Sequence, residues 1–103
     1  MKVESELFEG KKYYIELYSY NRKFDIMNAY NKKDNSILQY DHNQGALFFW
    51  SSDNLDGDPF EYHYNKTMTS SLAKFKSLLI EGGEEPSIVQ KALNKAIDII
   101  AKT

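Results

Sequence analysis

Tyr13-Tyr14-Ile15-Glu16-Leu17-Tyr18-Ser19-Tyr20 is followed by Asn21-Arg22 and then by a second run, Phe24 to Tyr30. Two segments rich in tyrosine and branched aliphatics, parted by two turn-compatible residues, predict a tight β-hairpin. Side chains of a strand alternate between its faces. Tyr13, Ile15 and Leu17 therefore point one way, and Tyr14, Glu16, Tyr18 and Tyr20 the other. The Ile15/Leu17 set is the natural core face.

The same reading extends outward. Asn31-Lys32-Lys33-Asp34-Asn35 is a second turn, Ile37 to Tyr40 a third strand and Asp41-His42-Asn43-Gln44-Gly45 a third turn. Ala46 to Ser51 is a fourth strand, in which Leu47 and Phe49 oppose Phe48 and Trp50. Asp53 to Pro59 is the longest loop, with Asp-Gly and Asp-Pro turn signals. Phe60 to Tyr64 alternates, which sets Phe60, Tyr62 and Tyr64 on one side and Glu61 and His63 on the other. Toward the N-terminus, Val3 to Phe8 is an expected edge strand.

The period changes after Lys66. Thr67 or Thr69 is expected to cap a helix over about 68–81, whose buried stripe is Leu72, Phe75 and Leu79. Gly82-Gly83 ends it, and Glu84-Glu85-Pro86 opens a second helix over about 85–101. The polar stripe of this helix is narrow: Lys91, Asn94, Lys95, Asp98 and Lys102. Its apolar arc is wider than the roughly 100° of a surface helix, so it should be covered on two sides, by the sheet and by the first helix or another subunit. Strands first and helices last give an α+β domain: an antiparallel meander of four to six strands, about 3–65, with two C-terminal helices packed on one face.

At 103 residues the chain suits a single domain, residues 1–103; with 42% hydrophobic and 27% charged residues it is globular in composition. The absence of cysteine excludes disulfides, thiolate metal sites and cysteine nucleophiles. No apolar run approaches the roughly 20 residues of a membrane span. Met1-Lys2-Val3-Glu4-Ser5-Glu6 is too acidic for a signal peptide, so the expected location is cytoplasmic and no membrane contact is expected. Arg22 is the single arginine among 13 basic residues, and asparagine and isoleucine are frequent. That usage fits an AT-rich genome, such as a low-GC bacterium or one of its phages.

Chemistry-bearing motifs are sparse. His42 and His63 have no ligand spacing, and Ser51-Ser52 lies in no nucleophile elbow. There is no phosphate-binding glycine loop. The acids of the 53–61 segment, Asp53, Asp56, Asp58 and Glu61, depart from the spacing of a helix-loop-helix calcium site. Asn65-Lys66-Thr67 matches a glycosylation acceptor that a cytoplasmic chain would not use. No catalytic residue, metal ligand or cofactor is assigned, and the chain is not expected to be an enzyme.

Binding is the better-supported class. Aromatics make up 15% of the chain, and two helices can cover only one face of a single sheet. Tyr14, Tyr18, Tyr20 and Trp50 are thus expected on an uncovered face, and such patches mark interaction surfaces. Charge runs in blocks: residues 10–33 are basic, and residues 34–65 are acidic with no Lys or Arg. The loop acids Asp53, Asp56 and Asp58 are a second expected contact element, steering a basic partner. The leading expectation is a small accessory or inhibitory protein of phage or mobile-element type, expected to form a homodimer and to occupy the surface of a host or defence protein. The alternative is single-stranded nucleic-acid binding, with Tyr14, Tyr18 and Tyr20 stacking on bases beside Lys12, Arg22, Lys23, Lys32 and Lys33.

Overall fold

The computed structural model describes residues 3–64 and 68–102. Six strands come first: β1 (Val3–Glu9), β2 (Tyr13–Tyr20), β3 (Lys23–Asn31), β4 (Ile37–Asp41), β5 (Ala46–Trp50) and β6 (Phe60–Tyr64). Two helices follow, α1 (Met68–Glu81) and α2 (Pro86–Ala101). The strands form one antiparallel sheet in the order β1-β2-β3-β4-β5-β6, an uninterrupted meander. This is the α+β arrangement expected from the residues. No helix among the described residues is long and apolar enough to cross a membrane.

The N-terminal segment is a full strand. All seven residues of β1 pair with β2, from Val3 opposite Tyr20 to Glu9 opposite Tyr14. The β2–β3 hairpin turns on Asn21 (φ 50°) and Arg22 (φ 66°), the left-handed pair that matches the twist of its flanking strands. A bulge at Asp25 then shifts the register, so Tyr18 faces Ile26 and Leu17 faces Met27. The bulge is held from the next turn: the His42 N–H donates to the Asp25 carbonyl (3.0 Å), and Asn43 Nδ2 donates to Asp25 Oδ1 (2.6 Å).

One face of the sheet carries the core. Ile15, Leu17, Phe24, Met27, Ala29, Leu38, Tyr40 and Leu47 pack there against Leu72, Phe75 and Leu79 of α1 and Val89, Ala92, Leu93 and Ala96 of α2. Burying each large aliphatic contributes about 1.5–3 kcal/mol. Helix α1 lies over β4 and β5, and α2 over β1, β2 and β3. The wide apolar arc of α2 is shared between the sheet and α1; Ile97 is its large apolar side chain left mainly exposed, at 47%.

Two details differ from the expectations. Helix α1 begins at Met68, so Thr69 lies inside it and is not a cap, while Thr67 and the Asn65-Lys66-Thr67 motif lie outside the described residues. The simple alternation of the sixth strand is interrupted by a bulge opposite Leu47/Phe48. The backbone of Phe60 pairs with Phe49 and that of Tyr64 with Ala46; the side chains of Tyr62 and Tyr64, expected on one side with Phe60, lie outside the described residues.

Candidate functional site

No described element covers the second face of the sheet. Register assigns its residues in rows across the strands. Glu9, Tyr14, Tyr30, Ile37 and Trp50 form one row. Leu7, Glu16, Asn28, Gln39 and Phe48 form the next. Ser5, Tyr18 and Ile26 start the third, and Val3 and Tyr20 lie beyond it. Of the expected contact residues, Tyr14, Tyr18, Tyr20 and Trp50 therefore share this open face. Tyr14 and Trp50 stand three strand spacings apart, about 14 Å. Tyr14 and Tyr20 are 38% and 42% exposed, while Tyr18, Tyr30, Phe48 and Trp50 are half-buried against their neighbours.

The centre of the face is a hydrogen-bonded ladder. Gln39 Nε2 donates to Asn28 Oδ1 (2.9 Å), Asn28 Nδ2 to the Tyr30 hydroxyl (3.2 Å), and that hydroxyl to Glu16 Oε1 (3.1 Å). The Tyr18 hydroxyl donates to the same oxygen from the other side. Each donor in the chain points toward Glu16. The hydrogen bond to Glu16, together with burial, raises the Tyr18 phenol well above its ordinary value, so it remains a donor at neutral pH. Tyr30, Asn28, Gln39 and Phe48 were not singled out from sequence; cross-strand register is the signal that finds them.

Lys32 closes one end of the face. Its ammonium lies 4.6 Å from the Tyr14 ring centroid, 2.9 Å from Glu9 Oε2 and 2.6 Å from the Gly10 carbonyl. On the other flank, the Trp50 indole N–H donates to the Gly57 carbonyl (3.1 Å), tying the acidic loop to the face. The loop has internal order, with Gly57 N–H donating to the Asn54 carbonyl and Asn54 Nδ2 to the Asp58 carbonyl. Asp53, Asp56 and Asp58 are all exposed on it.

The meander folds the charge blocks together. The turns at Gly10–Lys12 and Asn31–Asn35 and the 51–59 loop lie at one end of the sheet, so Lys12, Lys32 and Lys33 share that end with Asp34 and the loop acids. Arg22 and Lys23 lie at the opposite end, one strand length away, on the order of 25 Å. The five basic residues of the nucleic-acid reading are thus not assembled into one track, and the carboxylate of Glu16 stands between them.

The Gly10 end also holds a carboxylate from the Glu84-Glu85-Pro86 stretch expected to open the second helix. Glu84 is 3% exposed. Its Oε1 accepts from the backbone N–H groups of Lys12 (3.0 Å) and Tyr13 (2.9 Å), and its Oε2 from those of Lys11 (3.0 Å) and Glu85 (2.9 Å). Burial opposes ionisation, but these four donors outweigh it and hold the carboxyl below the usual range. Glycine at position 10 permits the approach: a Cβ there would lie 2.1 Å from Glu84 Oε1. Gly83, at φ 99°, supplies the left-handed residue that turns the chain out of α1 into this clamp.

The histidine signals resolve differently. His42 Nδ1 pairs with the hydroxyl of fully buried Tyr40 at 3.0 Å, and its ring lies tilted against Phe24, 5.3 Å between centroids. Burial, with Asp41 nearby, pushes the Tyr40 phenol up to about 12, so it acts at neutral pH as a neutral hydrogen-bonding group closing the end of the core. His63 lies in β6 opposite Leu47. Among the described residues, no three His, Asp or Glu side chains converge as a metal site. A cleft of about 280 Å³ opens between Tyr13, Leu38, Phe49 and Leu78 beside Asp34 and Ser36. The Ser36 hydroxyl and N–H both serve Asp34, whose carboxyl they lower. No family model, curated protein or solved structure matches the chain.

Proposed function

We propose that this chain is a non-enzymatic binding protein whose open sheet face occupies a basic surface of another protein. The observation that carries the reading is the asymmetry of the sheet: two helices seal one face, and the other presents Tyr14, Tyr18, Tyr30, Phe48 and Trp50 around the Glu16 side chain. Tyrosine and tryptophan bury large area at small rotamer cost. The acids at the centre and on the loop beside Trp50 supply charge complementary to Lys- and Arg-bearing surfaces. An accessory or inhibitory role toward a host or defence protein is the use we assign to such a surface.

Self-association competes for the same surfaces. Two copies meeting face to face about the ladder would bring their Glu16 carboxylates together. Most central antiparallel pairings of β1 with a second β1 would oppose Glu4, Glu6 and Glu9 with one another, which protects a free edge. A foreign basic partner is therefore favoured over the homodimer, and light scattering across a concentration series separates the two.

The test is to pan the immobilised full chain against a random peptide library. Selected peptides should be basic, and their binding should fall in Tyr14→Ala and Trp50→Ala, both checked for folding by circular dichroism. Selection of neutral or acidic sequences, or binding indifferent to both variants, overturns the reading. Capture of oligothymidylate in preference to peptides, with a steep salt dependence, would favour the nucleic-acid alternative.

A further inference from the structure

The binding reading leaves open which partner group sits over the centre of the face. Glu16 Oε1 is saturated by two phenols. Among the described residues, no hydrogen bond reaches Glu16 Oε2. Lys32, the cation over the Tyr14 ring, is committed to Glu9 and the Gly10 carbonyl. Glu16 is half-buried, and the hydroxyls of Tyr18 and Tyr30 meet at its other oxygen.

We propose that Glu16 is the receptor for a single arginine side chain of the partner. This assignment rests on the surface reading above and deepens it. The ladder from Gln39 through Asn28 and Tyr30 delivers donors to one oxygen and leaves acceptor capacity on the other. The complementary group carries positive charge and donors. A guanidinium satisfies both, and guanidinium planes also stack on aromatic side chains, in which this face is rich. An ammonium meets the charge but is more strongly hydrated and cannot stack. A sugar hydroxyl would leave the negative charge unmatched.

The test uses the full chain labelled with ¹⁵N and five probes: the N-acetyl methylamides of arginine, lysine and citrulline, methyl glucoside, and oligothymidylate. Citrulline keeps the shape of arginine without its charge. The arginine probe should shift the amides of residues 15–18 and 26–30, with weak affinity on the order of millimolar. The lysine probe should bind several-fold more weakly, and citrulline should lose the signal. In Glu16→Gln the arginine affinity should drop about tenfold, the size expected when a charge-assisted hydrogen bond is removed. Equal binding of citrulline or lysine overturns the assignment, as does preferential binding of the sugar or the oligonucleotide. So does an arginine affinity in Glu16→Gln within about twofold of the parent. The citrulline comparison needs no variant and decides the matter even if Glu16→Gln perturbs the fold. If basic peptides bind the face while Glu16→Gln changes nothing, the surface reading stands and the arginine assignment falls. If basic peptides do not bind at all, the surface reading itself has failed.

Discussion

Glu16 and Glu84 sit at the two kinds of place this fold offers a carboxylate. Glu84 is sealed at the end of the covered layer, with both oxygens filled by backbone N–H groups from two loops distant in sequence. Glu16 stands on the open face, with one oxygen filled by side-chain phenols and the other unengaged by any described residue. A saturated buried carboxylate holds a fold together; a half-saturated, half-exposed one retains capacity for a second molecule. The same contrast runs through the whole sheet. On one side Ile15, Leu17, Met27 and Leu47 are almost wholly removed from water, and on the other their strand neighbours are linked by polar bonds.

The largest expected effect breaks that contrast at adjacent residues. Ile15→Ala should cost about 3 kcal/mol, because it removes three carbons from a filled core and leaves a cavity. Tyr14→Ala, one residue away on the open face, should cost under about 1 kcal/mol. Urea unfolding of both variants checks this. Near-equal losses would mean that the open face is as much a part of the core as the other.

The next effect compares the two glutamates. Glu84→Gln puts an amide among converging N–H donors and should destabilise by about 2–3 kcal/mol at neutral pH. The pH dependence has a definite sign. The folded-state carboxyl is held below its unfolded value of about 4.3. Its contribution is fully present above that value and is lost as pH falls through the folded-state value. The parent should therefore lose stability relative to Glu84→Gln between neutral pH and about pH 3. Glu16→Gln should cost under about 1 kcal/mol at pH 7, since that side chain keeps access to water. Denaturant midpoints for the three proteins at both pH values test the set.

How much of this was legible in the residues follows from the range of each interaction. The hairpin, the Ile15/Leu17 core face, the α1 stripe and the glycine stop are short-period patterns, and they read directly. The ladder depends on register. A two-residue turn at Asn21-Arg22 extrapolates to Tyr18 opposite Asp25 and Glu16 opposite Met27; the bulge at Asp25 instead aligns Glu16 with Asn28 and Tyr14 with Tyr30. Ile26 and Met27 are both apolar, so alternation alone does not reveal the slip. The Glu84 clamp joins residues more than 70 positions apart through backbone groups, which have no sequence signature. The charge blocks were legible as composition but not as surface, because antiparallel turns return every second connection to the same end of the sheet.

A smaller effect comes from the hairpin itself. Arg22 is held at φ 66°, where a side chain is strained and glycine is not. Arg22→Gly should raise stability by about 1 kcal/mol. Because Arg22 lies at the end of the sheet remote from the loop acids, the substitution should leave basic-peptide binding unchanged. Oligothymidylate binding that falls in this variant would instead move weight toward the nucleic-acid alternative, in which Arg22 contacts phosphate.

The smallest effect asks whether the acidic loop belongs to the open face. The indole N–H of Trp50 reaches the Gly57 carbonyl, and Trp50→Phe removes that donor while keeping a ring in the row with Tyr14 and Tyr30. The bond is exposed, so global stability should change by no more than about 0.5 kcal/mol. The local consequence is larger than the global one, because a loop segment with few buried contacts opens by itself without unfolding the sheet. Amide exchange at Asn54 and Gly57 should therefore accelerate in Trp50→Phe, while exchange in β2 and β3 stays as it was. If the loop acids help to hold a basic peptide, its affinity should fall a few-fold, about what loosening a pre-ordered charged rim costs. Unchanged exchange at those amides would show that the loop orders itself through Asn54 alone. Unchanged affinity despite faster exchange would confine the binding surface to the strands.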